Sequence, residues 1–237
     1  MSGYILHEDS LRAVIATDGS ENAKTGDMIQ VWILPRNISP IEAVKTRQDD
    51  AICGDCKHRG SNGFKDRSCY VNVIHGPNSV WRAYQRGSYP KLPISRYAEF
   101  FSGRAVRFGA YGDPVFIPLR KARAIVAVCK RHTGYTHQWK QAKFAPWREL
   151  IMASVDSVAE YESAKLTNWR TFRVSTSMDL QPREISCPAS DEAGKKTQCA
   201  KCGLCNGARE NDARKDITIM VHGVNGKRNF VALESIQ

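Results

Sequence analysis

The chain has 237 residues and carries 35 Lys and Arg against 24 Asp and Glu, a formal charge of +11. That length supports one domain, 1–237, with a real hydrophobic core, and no apolar run is long enough to span a membrane. The opening MSGYILHEDSLRAVIATDGS is polar and acidic, unlike a signal peptide, so a cytoplasmic protein is expected. The excess of positive charge favours an acidic partner, nucleic acid above all.

In chain order, residues 28–35 (MIQVWILP) read as a strand and lead into a first cysteine loop, 50–76, with a short strand expected at 69–74. Residues 78–86 and 94–101 read as helices, 104–112 as a strand and 117–131 as a helix. A short strand at 133–139, a strand at 150–156, a helix at 158–167 and a strand at 169–175 follow. Strands at 183–187 and 217–222 bracket a second, polar cysteine loop, 187–216. Seven or eight short strands, several separated by helices, predict an α/β fold with a mostly parallel sheet. The count suits a compact or incomplete (β/α)-barrel bearing two cysteine-rich metal-binding loops.

The cysteines carry the chemistry. Cys199, Cys202 and Cys205 form a C-x2-C-x2-C run, and Cys187 precedes them in a Cys-Pro pair. Two intervening residues let neighbouring thiolates converge on one centre, and both a 4Fe–4S cluster and zinc accept four thiolates. Cys53, Cys56 and Cys69 form a C-x2-C-x12-C set. Read as zinc, its fourth ligand would be His75 or His58; read as iron–sulfur, its three thiolates would leave one iron open. Such pairs in a chain without a leader point to metal binding in a reducing compartment, not to disulfides. Cys129 falls on the apolar stripe of the 117–131 helix and reads as core.

In a (β/α)-barrel the carboxyl ends of the strands build the site. Those positions hold Asp113, His137, Ser154, Asp156, Ser175, Thr176, Cys187 and His222. Asp113, His137, Asp156 and His222 are the candidate catalytic residues. Residues 20–26 (SENAKTG) lack the glycine and leading strand of a phosphate loop. The stretch 81–97 interleaves Arg82, Arg86, Lys91 and Arg96 with Trp81, Tyr84, Tyr89 and Tyr97. It reads either as a surface for stacking bases and tracking phosphates or as an ordinary helix with packing aromatics.

A cysteine loop after the first strand, followed by Ala110-Tyr111-Gly112-Asp113-Pro114 at the end of a later one, resembles the radical-SAM enzymes. In that superfamily a barrel strand ends in Gly-Gly-Glu-Pro, which contacts the methionine amino group of S-adenosylmethionine. The resemblance implies that Gly112, Asp113 and Pro114 bind that cofactor, and the family's cysteine spacing is the shorter C-x3-C-x2-C. Together with Cys187-Pro188 and the late C-x2-C-x2-C, FGAYGDP is also similar to bacteriophage proteins of the gene-product-88 type, which implies a host-cytoplasm location. The expected function is an iron–sulfur protein of radical-SAM-like type; the alternative is a zinc-stabilised, non-catalytic nucleic-acid-binding protein.

Overall fold

The computed structural model describes residues 2–19, 23–221 and 227–231. All eight residues of Met28–Pro35 (β3) are buried, as a strand covered on both faces must be. It follows β1 (Gly3–Glu8) and β2 (Arg12–Thr17) in the chain and lies at the centre of the sheet β1-β2-β3-β4-β5. β1 and β2 run antiparallel to their neighbours, whereas β4 (Ala105–Tyr111) and β5 (Arg131–Thr133) run parallel to β3. A second sheet, entirely parallel, has the order β6-β7-β8-β10-β9. Its strands are β6 (Tyr135–Thr136), β7 (Met152–Val155), β8 (Thr171–Ser175), β9 (Glu184–Ser186) and β10 (Asp216–Met220).

The sheets meet at Gly134, which separates β5 from β6. A Cβ there would lie 2.6 Å from Ile151 Cγ2, so only glycine lets the chain pass this closely from one sheet to the other. Helices pack against the sheets: α1 (Pro40–Thr46) and α3 (Gly76–Gln85) touch β3, α4 (Tyr97–Phe101) packs on α5 (Leu119–Val128), and α6 (Val158–Leu166) covers β7 and β8. The main core joins Ile29, Val31, Val106 and Phe108 to Tyr97, Phe101, Ala122 and Ile125. A smaller apolar cluster on the second sheet, around Met152, Ile217 and Ile219, contains Cys187 and Cys205.

The α/β class and the parallel strands agree with the sequence, with three corrections. The antiparallel β1 and β2 fall in a segment that reads as merely polar. Residues 69–74 form no strand; their backbone is drawn into loop hydrogen bonds instead. The strand expected over 133–139 is two short strands split by Gly134, then a 3-10 turn at Gln138–Lys140.

Candidate metal centres

The first cysteine set begins in α2 (Asp50–Cys53), which ends at Gly54 with φ 60°. The long gap to Cys69 is closed by a single carbonyl. His58 O, in the 3-10 turn Lys57–Arg59, accepts from both Ser68 N (3.2 Å) and Cys69 N (3.1 Å). Asp66 clasps the loop tip, accepting from Ser61 N at 2.6 Å and Asn62 N at 2.8 Å. Arg59 ties the base of the loop to Asp49 Oδ1 (3.0 Å), Gly54 O (2.9 Å) and Arg47 O (2.8 Å). The three thiols are thereby brought within electrostatic reach of one another. Burial, then the neighbouring Cys56 and Cys69, push the Cys53 thiol well up; burial pushes Cys56 to about 12 and raises Cys69. Two buried polar atoms beside the set, Tyr111 Oη and Arg67 Nε, have no hydrogen-bond partner, and both groups act electrostatically on these thiols or on each other.

The Gly112-Asp113-Pro114 turn abuts this set. Asp113 N donates to Ile52 O at 2.8 Å, one residue ahead of Cys53, and Gln138 Nε2 donates to Cys53 O at 3.0 Å. Gly112 has φ 78°, and a Cβ on it would sit 2.6 Å from Ile33 O, so the turn needs glycine for both conformation and space. The Asp113 carboxylate is buried and accepts from Val115 N (3.2 Å), Thr136 Oγ1 (3.0 Å) and His137 N (2.9 Å). Those bonds correct the role expected for Asp113: its side chain binds the turn to β6 and its exit rather than standing open to an amine.

His137 and Asp156 do converge, and His58 joins them. His58 Nε2 lies 2.9 Å from Asp156 Oδ2 and its Nδ1 lies 2.7 Å from Ser68 Oγ. The His58 ring stacks on Phe230 and meets His137 edge-on at 5.1 Å. Burial works to raise the Asp156 pKa. The hydrogen bond from His58 and the charges of His58, His137 and Lys57 outweigh burial and hold the carboxyl well below its usual range. The ligand atoms of His58, His137 and Asp156 all lie within 4.8 Å of one another, and no cysteine triple among the described residues is so tightly gathered. Lys57 Nζ, 3.2 Å from Asp156 Oδ2, already supplies a cation there, which suits the group to holding a proton more than a metal.

Neither histidine is placed as a zinc ligand for the first set: both ring nitrogens of His58 are engaged, and His75 is exposed at the start of α3. Ser154 offers its carbonyl to Trp139 Nε1, and Ser175 Oγ accepts from Ser177 N. His222 lies outside the described residues.

The second set is assembled from distant pieces. Cys187 follows β9, where its N–H donates to Thr218 O at 2.8 Å. Cys199–Cys202 form a single turn, α7, whose first amides donate to Lys24 O and Thr25 O at 3.0 Å each, just before β3. Cys205 O accepts from Gly134 N at 3.1 Å. Cys187, Cys199, Cys202 and Cys205 all feel one another electrostatically. Burial pushes Cys205 to about 12 despite a hydrogen bond from Tyr135.

β4 connects the two sets. Tyr111, at its carboxyl end, faces Cys53 and Cys69 electrostatically, while Arg107, near its start, acts on Cys199 and donates to Tyr70 Oη at 3.1 Å. Three residues of strand separate them, with a bulge at Gly109. Neither Arg107 nor Tyr111 stands out in the sequence as a functional residue, and the bulge at Gly109 breaks the alternation that would have linked them. Cys129 packs against the main core, as expected.

The stretch 81–97 is corrected as a stacking surface. Tyr89 and Tyr97 are buried, Trp81 Nε1 donates to Pro35 O and Tyr84 Oη to Glu8. Lys91 pairs with Glu8 and Arg96 with Glu99. Among the described residues no helix is long and apolar enough to cross a membrane. No family model, curated protein or solved structure matches the chain.

Proposed function

We propose that the chain is an iron–sulfur protein with a radical-SAM-like site on an incomplete barrel. The observation that carries this reading is the convergence of Cys53, Cys56 and Cys69 directly against the Gly112-Asp113-Pro114 turn. The longer cysteine spacing is no obstacle, because His58 O folds the extra residues back on themselves.

The donor set fits a cluster better than a single zinc ion. A tetrahedral zinc gathers thiolate sulfurs to roughly 3.8 Å of one another, from Zn–S bonds of about 2.3 Å, whereas no cysteine triple among the described residues lies within 4.8 Å. Three thiols supply three ligands of a cluster and would leave its fourth iron for an exogenous ligand; the unpartnered Tyr111 Oη and Arg67 Nε lie beside those thiols. A 4Fe–4S cluster held by Cys53, Cys56 and Cys69 would supply an electron to S-adenosylmethionine. Asp113 fixes the turn and the His137 backbone, a positioning role. His58 and Asp156 hold a proton between them beside His137, where substrate would be met. Cys187, Cys199, Cys202 and Cys205 would hold a second, fully ligated cluster with structural or electron-transfer duty, and the Arg107 charge lies between the two.

Anaerobic purification, iron and sulfide analysis, and electron paramagnetic resonance of the reduced protein with and without S-adenosylmethionine test the proposal. Iron with acid-labile sulfide, and a signal that changes on adding the cofactor, are expected. Colourless protein carrying zinc would sink it. Iron–sulfur content with an unresponsive signal would leave the cluster and remove the cofactor.

A further inference from the structure

A groove of about 1070 Å³ lies at the amino-terminal ends of β7, β8, β9 and β10, beside the residues that follow Cys205. Seven cationic side chains line it against three carboxylates. Arg148, Arg183 and Arg209 are exposed along it; Arg148 and Arg209 have no carboxylate partner among the described residues, and Arg183 meets only the carbonyl of Asp212.

The floor of the groove is built. The buried Arg170 donates to Leu204 O (2.6 Å) and Asn206 O (3.0 Å), and Arg214 donates to Gly207 O at 2.8 Å. These bonds fix the shape of the floor; Asp212 meets both Arg214 and Arg170 and Asp216 pairs with Lys165, so among the described residues the uncompensated charge lies on Arg148, Arg183, Arg209 and Lys215. Two of the three carboxylates are already compensated: Asp212 by Arg214 at 2.8 Å, and Glu149 by Arg123 at 3.2 Å. Glu210 is the remaining one.

We infer that this groove binds the phosphodiester backbone of nucleic acid. Small-molecule sites are mostly apolar with a few polar groups, and this lining is the reverse: its one large aromatic, Trp169, is buried. Repeated cations without a stacking platform match a chain of phosphates read without regard to sequence. The net charge of +11 supplies the long-range attraction. This inference stands independently of the iron–sulfur reading.

The test uses the full chain and a labelled, mixed-sequence duplex, with anisotropy read across a salt series. Native protein should bind at low salt, with affinity falling steeply as salt rises. Replacing Arg148, Arg183 and Arg209 together with Gln should weaken binding roughly tenfold or more and reduce the slope of log affinity against log salt by about 0.9 for each phosphate no longer neutralised. Glu210→Gln should tighten binding, a gain that misfolding cannot produce. The triple change Arg82→Gln, Arg86→Gln and Arg96→Gln should leave the duplex affinity nearly unchanged. The inference is overturned if native protein fails to bind at low salt, or if the groove variant keeps its affinity and slope. Competition by polyglutamate as effective as that by unlabelled duplex would equally overturn it.

Discussion

The two cysteine loops reach the same end, several thiols in electrostatic contact, by opposite means. The first is closed by its own chain: one carbonyl draws Cys69 back, Asp66 clasps the tip, and Arg59 fixes the base. The second, 188–216, contains only the single turn α7 among its described elements. Its cysteines are pinned at separate places, after β9, ahead of β3 and at the Gly134 junction. Its internal bonds close short local turns, such as Lys195 N to Ser190 O and Arg214 to Asp212, and among the described residues none ties Cys187 to the Cys199–Cys205 run, so a bound metal centre is the strongest candidate for joining those pieces. The first loop is therefore shaped by its own chain, whereas a metal centre in the second would join pieces that its backbone leaves apart.

The largest effect expected is the contrast between Cys202→Ser and Cys56→Ser. Cys202→Ser should strip metal from the second set and free the exposed Lys195 and Lys196 to trypsin, with cleavage faster by roughly tenfold, a local opening of about 1.4 kcal/mol. Cys56→Ser should lower iron content without new cleavage in either loop. Equal protease resistance in the two variants would erase the distinction between the loops.

Next comes the ion pair beneath the second loop. Arg173 donates to Glu184 through two bonds of 2.8 and 2.6 Å, both side chains are buried, and Glu184 opens the strand that delivers Cys187. Glu184→Gln would leave a buried guanidinium without its counter-charge, at a cost of about 3–5 kcal/mol, read as a lower urea midpoint. Burial works to raise the Glu184 pKa, but the bonds from Arg173 and the Gln181 amide hold it below the usual value. A depressed carboxyl contributes stability that is complete above its unfolded pKa of about 4.3. That stability fades as pH falls through the folded value, so native and variant stabilities should converge in acid. A difference that persists unchanged in acid would point to packing, not charge.

Asp113→Asn is smaller, because the amide oxygen still accepts one or two of the three bonds. A loss of about 1–3 kcal/mol is expected, together with weaker metal retention in the first set and unchanged retention in the second. A variant that stays stable and metal-loaded yet no longer binds S-adenosylmethionine would return Asp113 to direct cofactor contact.

How much of this was legible beforehand follows from what each residue depends on. β3 is clear because Met28, Ile29, Val31, Trp32, Ile33 and Leu34 run together with only Gln30 between them. The cysteine spacings are visible in the sequence itself, and the fold adds which backbone groups bring each set together. Less visible was α1, although Ser39-Pro40 with Glu42 is a capping signature: Ser39 Oγ accepts from Glu42 N at 3.1 Å. β1 and β2 are hidden because their alternation is blurred by His7, Glu8 and Arg12; Glu8 meets Tyr84 and Arg12 meets Ala51 O, both far along the chain. In the sequence His58, two residues after Cys56, reads only as a thiol-site ligand. Its real partner, Asp156, is 98 residues away, and no local pattern encodes a bond across that distance.

The smallest prediction tests the clasp that makes the first loop self-sufficient. Asp66 accepts from Ser61 N, Asn62 N and the Ser61 hydroxyl; burial works to raise its carboxyl pKa, and these bonds together outweigh it and hold the carboxyl below the usual range. Because the loop tip is exposed, water replaces much of what is lost, and Asp66→Ala should cost only about 1 kcal/mol. Its informative readout is amide hydrogen exchange. Protection should fall at Ser61 and Asn62 while the Cys69 amide, held by His58 O, stays protected. If Cys69 loses protection as well, the tip and the thiol site form one cooperative unit, and the first loop relies on its clasp as heavily as the second relies on metal.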